Sequence, residues 1–165
     1  MPFEVLTFSM CQQYRERQNL QAGSTLVAIL NEQNCLISEF QRIEPLVSQF
    51  SFLTQIIDDI ADTGEDLTAM RPSYAVGALV NNPEELERIQ VFITEHQYAK
   101  ITPRQFRRIA PQSYALINQT FNGYCKEFEK QTGKHGLTRL ARTLYSFYPA
   151  VRNILFKVNA NIANF

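Results

Sequence analysis

"PLVSQFSFLTQIIDDIADTGED", residues 45–66, changes character halfway along. Its first part carries Leu46, Phe50, Leu53, Ile57 and Ile60 at spacings of 4, 3, 4 and 3. A helix of about 3.6 residues per turn gathers such positions into one core-facing stripe. Pro45 suits the first turn, where a missing N–H removes no helical hydrogen bond, so the helix is expected to begin near it. The second part puts five carboxylates, Asp58, Asp59, Asp62, Glu65 and Asp66, into nine positions. Asp58, Asp62 and Asp66 recur every fourth residue on a face roughly opposite the stripe, together with Ser51 and Gln55.

This is an unfavourable way to end a helix. The C-terminal turns carry the negative end of the macrodipole, which disfavours each exposed acid there by about 0.3–1 kcal/mol. Like charges at i, i+4 repel by a further ~0.2–0.5 kcal/mol per pair. No Lys or Arg lies between residues 43 and 70 to offset them. Either the acids form a solvated face and the strain is borne in water, or a cation belongs beside them. A hard divalent ion takes oxygen ligands, and Mg²⁺ characteristically uses one or two carboxylates with water and substrate phosphate. A calcium EF-hand does not fit, because it needs D-x-[DN]-x-[DN]-G in a loop with a glutamate at its twelfth position.

The rest of the chain reads as helix. No alternating β-branched run or Asn-Gly or Asp-Gly hairpin signal occurs, and the six glycines fall mostly between helical stretches. A first long helix is expected from about Met10 to Cys35, with Leu20, Val27 and Leu30 among its apolar positions. "NNPEELERI" opens another that reaches about His96, with Asn82 placed to cap, Pro83 in the first turn, and Glu84 and Glu85 complementing the dipole. A short turn in "TPRQFRRI" leads to Pro111 and a helix carrying Tyr114, Ile117, Phe121, Tyr124 and Phe128 as far as Gly133. Two final helices flank Pro149. The expectation is a single domain over residues 1–165, an all-α antiparallel bundle of about six helices.

Composition narrows the function. Lys plus Arg balance Asp plus Glu at 16 each, so no basic field exists to gather nucleic acid or an anionic membrane surface. Cys11, Cys35 and Cys125 are odd in number, far apart and without metal-ligand spacing, which reads as reduced thiols in a core. No run of 18 apolar residues and no signal-peptide pattern occurs, so a cytoplasmic protein without a transmembrane segment is expected.

"QIIDDIAD", Gln55 to Asp62, resembles the second aspartate-rich motif of class I isoprenoid synthases, where prenyltransferases carry Q-x-x-D-D-x-x-D on a long helix. Gln55, Asp58, Asp59 and Asp62 all match. Against the (N/D)-D-x-x-(S/T)-x-x-x-E motif of terpene cyclases, Asp58 and Asp59 fit the start, Asp62 replaces the hydroxyl and Asp66 the glutamate. Squalene and phytoene synthases place D-x-x-x-D followed by Glu-Asp, which is similar to Asp58, Asp62 and Glu65-Asp66. "AGSTLVAIL", residues 22–30, is similar to the helix preceding the motif in large terpene synthases.

The resemblance implies the C-terminal half of that all-α fold. It also implies Mg²⁺ bridging carboxylates to an isoprenyl diphosphate and ionising it as a Lewis acid. The stacked, uncompensated charge itself leads to the expectation that Asp58, Asp62 and Asp66 face a cavity or groove and bind Mg²⁺, with Asp59 and Glu65 as outer or solvent groups. Gln55, Arg139, Arg142 and Tyr145 are the implied diphosphate contacts, the last three being similar to a late Arg-Tyr pair of bacterial cyclases. Only 57 residues precede Asp58, and they hold no D-D-x-x-D, so the chain is expected to supply half a metal site. A longer native chain, a second subunit or a homodimer would complete it. Exposed apolar faces of such a half-bundle favour the homodimer. The alternative is a non-catalytic helical module that binds a protein partner or a lipid.

Elsewhere the chemistry is sparse. Arg104, Arg107 and Arg108 form the densest basic spot, and Arg71 is expected to pair with Asp66. His96 and His135 lie far from any nucleophile signature and read as surface residues. Tyr114, Phe121, Tyr124, Phe128, Phe147 and Tyr148 could line a hydrocarbon cavity, but at helical spacing they read as core. No residue is assigned a catalytic role.

Overall fold

A computed structural model describes residues 6–32, 37–96, 100–134 and 147–154, with the side chains of residues 22–32, 37–43 and 132–134 outside that description. Seven helices follow in order: α1 (Phe8–Glu32), α2 (Ile37–Ala61), α3 (Thr63–Thr68), α4 (Tyr74–Val80), α5 (Pro83–Glu95), α6 (Pro103–Ile109) and α7 (Pro111–Lys134). Residues 147–154 are also helical, and no strand occurs among the described residues. The all-α expectation stands.

The apolar stripe of α2 is wider than its sequence spacing suggested. Leu46, Leu53 and Ile60 are buried as expected, but Ile56 and Phe52 are buried too, while Phe50 and Ile57 pack at the edge of the core. The helix is therefore covered on two sides, by α7 and by α1. Pro45 does not start α2, which begins eight residues earlier at Ile37; it lies inside the helix at an exposed position, so the backbone bond it cannot donate is not a buried loss.

At the centre lies α4, whose residues Tyr74 to Leu79 are all buried. A helix apolar on every side is stable only when surrounded, and α4 packs against α1, α2, α5 and α7. Its small residues permit this. A Cβ on Gly77 would stand 2.8 Å from Cys11 Cβ and 3.0 Å from the Cα of Phe8, so α1 and α4 meet nearly backbone to backbone.

Side chains fix several helix starts, that of α4 through Ser73 Oγ, which accepts from the Val76 N–H at 3.3 Å. Thr102 and Gln105 form a reciprocal capping box ahead of Pro103 in α6. The residue before α7 is Ala110, which has no capping oxygen, and the orphan N–H groups of Gln112 and Ser113 instead donate to Oε1 and Oε2 of buried Glu85, each at 2.8 Å. Glu85, expected to complement the dipole of its own helix, caps its neighbour. Asn82 occupies the cap position of α5 without capping it; its amide donates to the Ala78 carbonyl and to Ser113 Oγ. Pro149 lies within the helical stretch 147–154 rather than between two helices.

Candidate functional site

The acidic segment straddles a break in the helix. α2 ends at Ala61 and α3 begins at Thr63, while Asp62 N–H donates to the Asp58 carbonyl at 2.8 Å and Asp66 N–H to the Asp62 carbonyl at 2.9 Å, so helical spacing nearly persists across it. α3 closes at Met70, whose φ of 53° is left-handed and reverses the chain. Arg71 is thereby carried back over the acids, its Nε 3.0 Å from Asp66 Oδ1 and its Nη2 3.5 Å from Glu65 Oε2.

Asp59 is the residue on which this region converges. Its side chain is 1% exposed. From α1, Arg15 donates through Nη2 to Oδ1 at 2.7 Å and through Nε to Oδ2 at 3.1 Å, a two-pronged fork. Gln55, one turn earlier in α2, donates to Oδ1 at 2.7 Å, and the Tyr74 N–H at the start of α4 donates to Oδ2 at 2.7 Å. The same Arg15 Nη2 lies 3.4 Å from Oδ2 of Asp66, which is also buried. Asp59 and Asp66 stand seven residues apart, two helical turns, in line with buried Phe52.

Burial dominates the electrostatics. It pushes the Asp59 carboxyl up to about 6, against the opposing pull of Arg15, the Tyr74 amide and Gln55. Asp66 moves the same way for the same reason, restrained by a Ser73 hydrogen bond and by Arg15 and Arg71. Beside them runs a second polar chain. Tyr124 donates to Glu16 Oε1 at 2.6 Å, Gln12 bonds both Tyr124 and Glu16, and the Tyr74 hydroxyl lies 3.1 Å from that of Tyr124. Burial first, and then the Glu16 carboxylate, push the Tyr124 hydroxyl up to about 12.

The expected acidic face is therefore divided. Asp58 is exposed, Asp62 is partly exposed with Lys100 Nζ 3.0 Å from Oδ1, and Asp66 is buried. Asp59, expected in an outer position, is the most enclosed of the five, because α1 covers the side of α2 that it occupies. Glu65 is exposed beside Arg71. Gln55 serves Asp59. Arg139, Arg142, Tyr145, His135 and Cys35 lie outside the described residues.

Other expectations are met by packing. Cys11 and Cys125 are buried free thiols. Tyr114, Phe121, Phe128 and Tyr148 belong to the core, Tyr124 packs against it, and Phe147 is exposed. His96 is exposed, stacked on Phe92. Arg107 lies over the Tyr114 ring at 5.7 Å, and Arg104 and Arg108 are exposed.

The donors can be tested against Mg²⁺. Both oxygens of Asp59 and both of Asp66 already face protein cations or N–H groups. Among the described residues no group of three or more His, Cys, Asp or Glu side chains is placed to hold a metal ion. As arranged, Asp59 and Asp66 have their oxygens taken up by the protein. The cations missing from the local sequence come from Arg15, Arg71 and Lys100. Arg71 was legible as a partner of Asp66; Arg15, 44 residues from Asp59, left no local signal. No protein-family model, curated protein or solved structure matches the chain.

Proposed function

We propose that the chain is a non-catalytic helical module that acts by binding a protein partner or a lipid, and that the carboxylates of residues 58–66 serve the fold rather than a metal. The observation that carries this reading is the Arg15 fork on Asp59, supplemented by Gln55 and the Tyr74 N–H. A buried carboxylate with its oxygens engaged from three helices has little left to offer a metal ion or a diphosphate. Binding is supported by the solvent side of α1, where Met10, Tyr14 and Leu20 are 39%, 43% and 53% exposed while Gln12, Arg15 and Glu16 bond inward. Met10 and Tyr14, one helical turn apart, present adjacent apolar surface there for a contact. A second copy of the chain is the first partner to examine, and sedimentation that finds only monomer at micromolar concentration removes it.

The experiment is a thermal melt in millimolar MgCl₂, alone and with an isoprenyl diphosphate. A ligand that binds only the folded state raises the melting temperature by linkage. The expected result is no shift. A rise that needs both Mg²⁺ and the diphosphate, and disappears in Asp58→Ala/Asp62→Ala, overturns the binding-module reading in favour of the isoprenoid chemistry that the resemblance implies.

A further inference from the structure

Charge is distributed along the chain in two blocks. All 16 Asp and Glu lie at or before Glu129, whereas residues 130–165 hold Lys130, Lys134, Arg139, Arg142, Arg152 and Lys157 and no acid. With ten Lys or Arg among residues 1–129, the formal charge is −6 over that stretch and +6 over the remainder. The balance of the whole chain, which argues against an anionic partner, thus conceals a basic block, and asymmetry of this kind points to contact with an anionic surface. Two of the six cations lie near acids just upstream, Lys130 3.4 Å from Glu127 and Arg152 3.3 Å from Glu129, and both stay substantially exposed.

The described part of this block shows what lies beside the charge. Residues 147–154 are helical and held to α7 through Tyr148, which is buried, stacks on Phe128 at 4.6 Å and donates to Glu129 Oε1 at 2.7 Å. Phe147, Ala150, Val151 and Ile154 fall within one face of that helix. Phe147 is 60% and Ile154 44% exposed, Ala150 is exposed, and Val151 packs partly against the core. The apolar character continues in sequence through Leu155, Phe156 and Val158, with Lys157 among them. No helix among the described residues is long and apolar enough to cross a membrane. An anionic lipid surface suits this combination, since its acyl boundary takes rings and aliphatic side chains while its head groups attract Lys and Arg. Nucleic acid matches the charge but offers Ile154 no apolar layer to enter.

Resting on the binding-module reading above, we propose that the basic block, residues 130–165, is its lipid contact. The Phe147–Ile154 face lies in the head-group boundary of an anionic membrane, and the surrounding Lys and Arg hold it there.

Cosedimentation of the full chain with vesicles tests this, using phosphatidylcholine alone and phosphatidylcholine with about a third phosphatidylserine. The chain is expected to sediment with the anionic vesicles and not the neutral ones, and binding should fall as salt rises because screening shortens the reach of charge. Phe147→Ser/Ile154→Ser changes exposed positions, so it should keep the wild-type melting temperature while weakening binding by about tenfold or more. Arg139→Gln/Arg142→Gln should weaken it roughly tenfold and flatten the salt dependence. Absence of wild-type binding to the anionic vesicles overturns the proposal, and so does undiminished binding by the Ser variant. Single-stranded RNA that strips the chain from the vesicles and binds the Ser variant as tightly as wild type overturns it in favour of nucleic acid. Failure on vesicles leaves the module reading to a protein partner, and the melt in MgCl₂ and diphosphate judges that reading separately.

Discussion

Asp59 accepts hydrogen bonds from α1, from its own helix and from the first turn of α4, so its removal strands Arg15 and leaves the Tyr74 N–H without its acceptor. Breaking a buried ion pair by deleting one partner costs about 3–5 kcal/mol. Asp59→Ala is expected to fall in that range by urea denaturation at pH 7, while Asp58→Ala, at an exposed position, should stay within about 0.5 kcal/mol of wild type. Equal effects would mean that the fork does not hold α1. The titration has a definite sign. Because burial raises the folded carboxyl to about 6 from its ordinary value of 3.8, the folded chain holds a proton that the unfolded chain has released between those values. That contribution to stability is complete below about pH 4 and is lost as pH rises through 6. The urea midpoint of wild type, compared with Asp59→Asn, should therefore decline between pH 4 and 6.5; a difference that grows with pH in that window contradicts the assignment. None of this was legible locally, because adjacent Asp58 and Asp59 look alike in sequence and are separated only by which side of α2 the first helix covers.

Helix packing supplies a matched pair of glycines. Gly77 lies where α4 meets α1, and an added methyl would collide with Cys11 and the Phe8 backbone, whereas an added Cβ on Gly123 in α7 meets nothing within 4 Å. Gly77→Ala should destabilise by about 1–3 kcal/mol through overpacking, and Gly123→Ala should stabilise by about 0.5–1 kcal/mol through helix propensity. Differential scanning calorimetry of the two variants checks both directions; shifts of the same sign would deny the close approach of α1 and α4. The long helices announced themselves through apolar period and Pro-led starts, as in α5 and α7. α4 did not, since "YAVGALV" is short and apolar on all sides and so has no face to read. The Glu85 cap was half visible. A helix starting at Pro111 after Ala110 has orphan N–H groups and no local acceptor, which requires one from elsewhere in the fold.

Across the whole molecule, charge balance is achieved between helices. The acids that find no base from residue 43 to residue 70 find Arg15 before them and Arg71 and Lys100 after them, and only the tertiary fold brings these together. The all-α class was readable because periodicity is a property of neighbours in sequence, and the ion pairs were not because they join residues as much as 51 apart. If the carboxylates are structural, Arg15 and Asp59 must be strongly coupled in the folded chain at neutral pH. A double-mutant cycle with Arg15→Gln, Asp59→Asn and the double variant, read by urea denaturation at pH 7, measures that coupling directly. The predicted interaction is favourable and lies in the upper part of the ~0.5–3 kcal/mol range seen for contacting residues. Additive losses, with coupling near zero, would contradict the pairing of Arg15 with Asp59 and return the acidic segment to the solvent or to a metal.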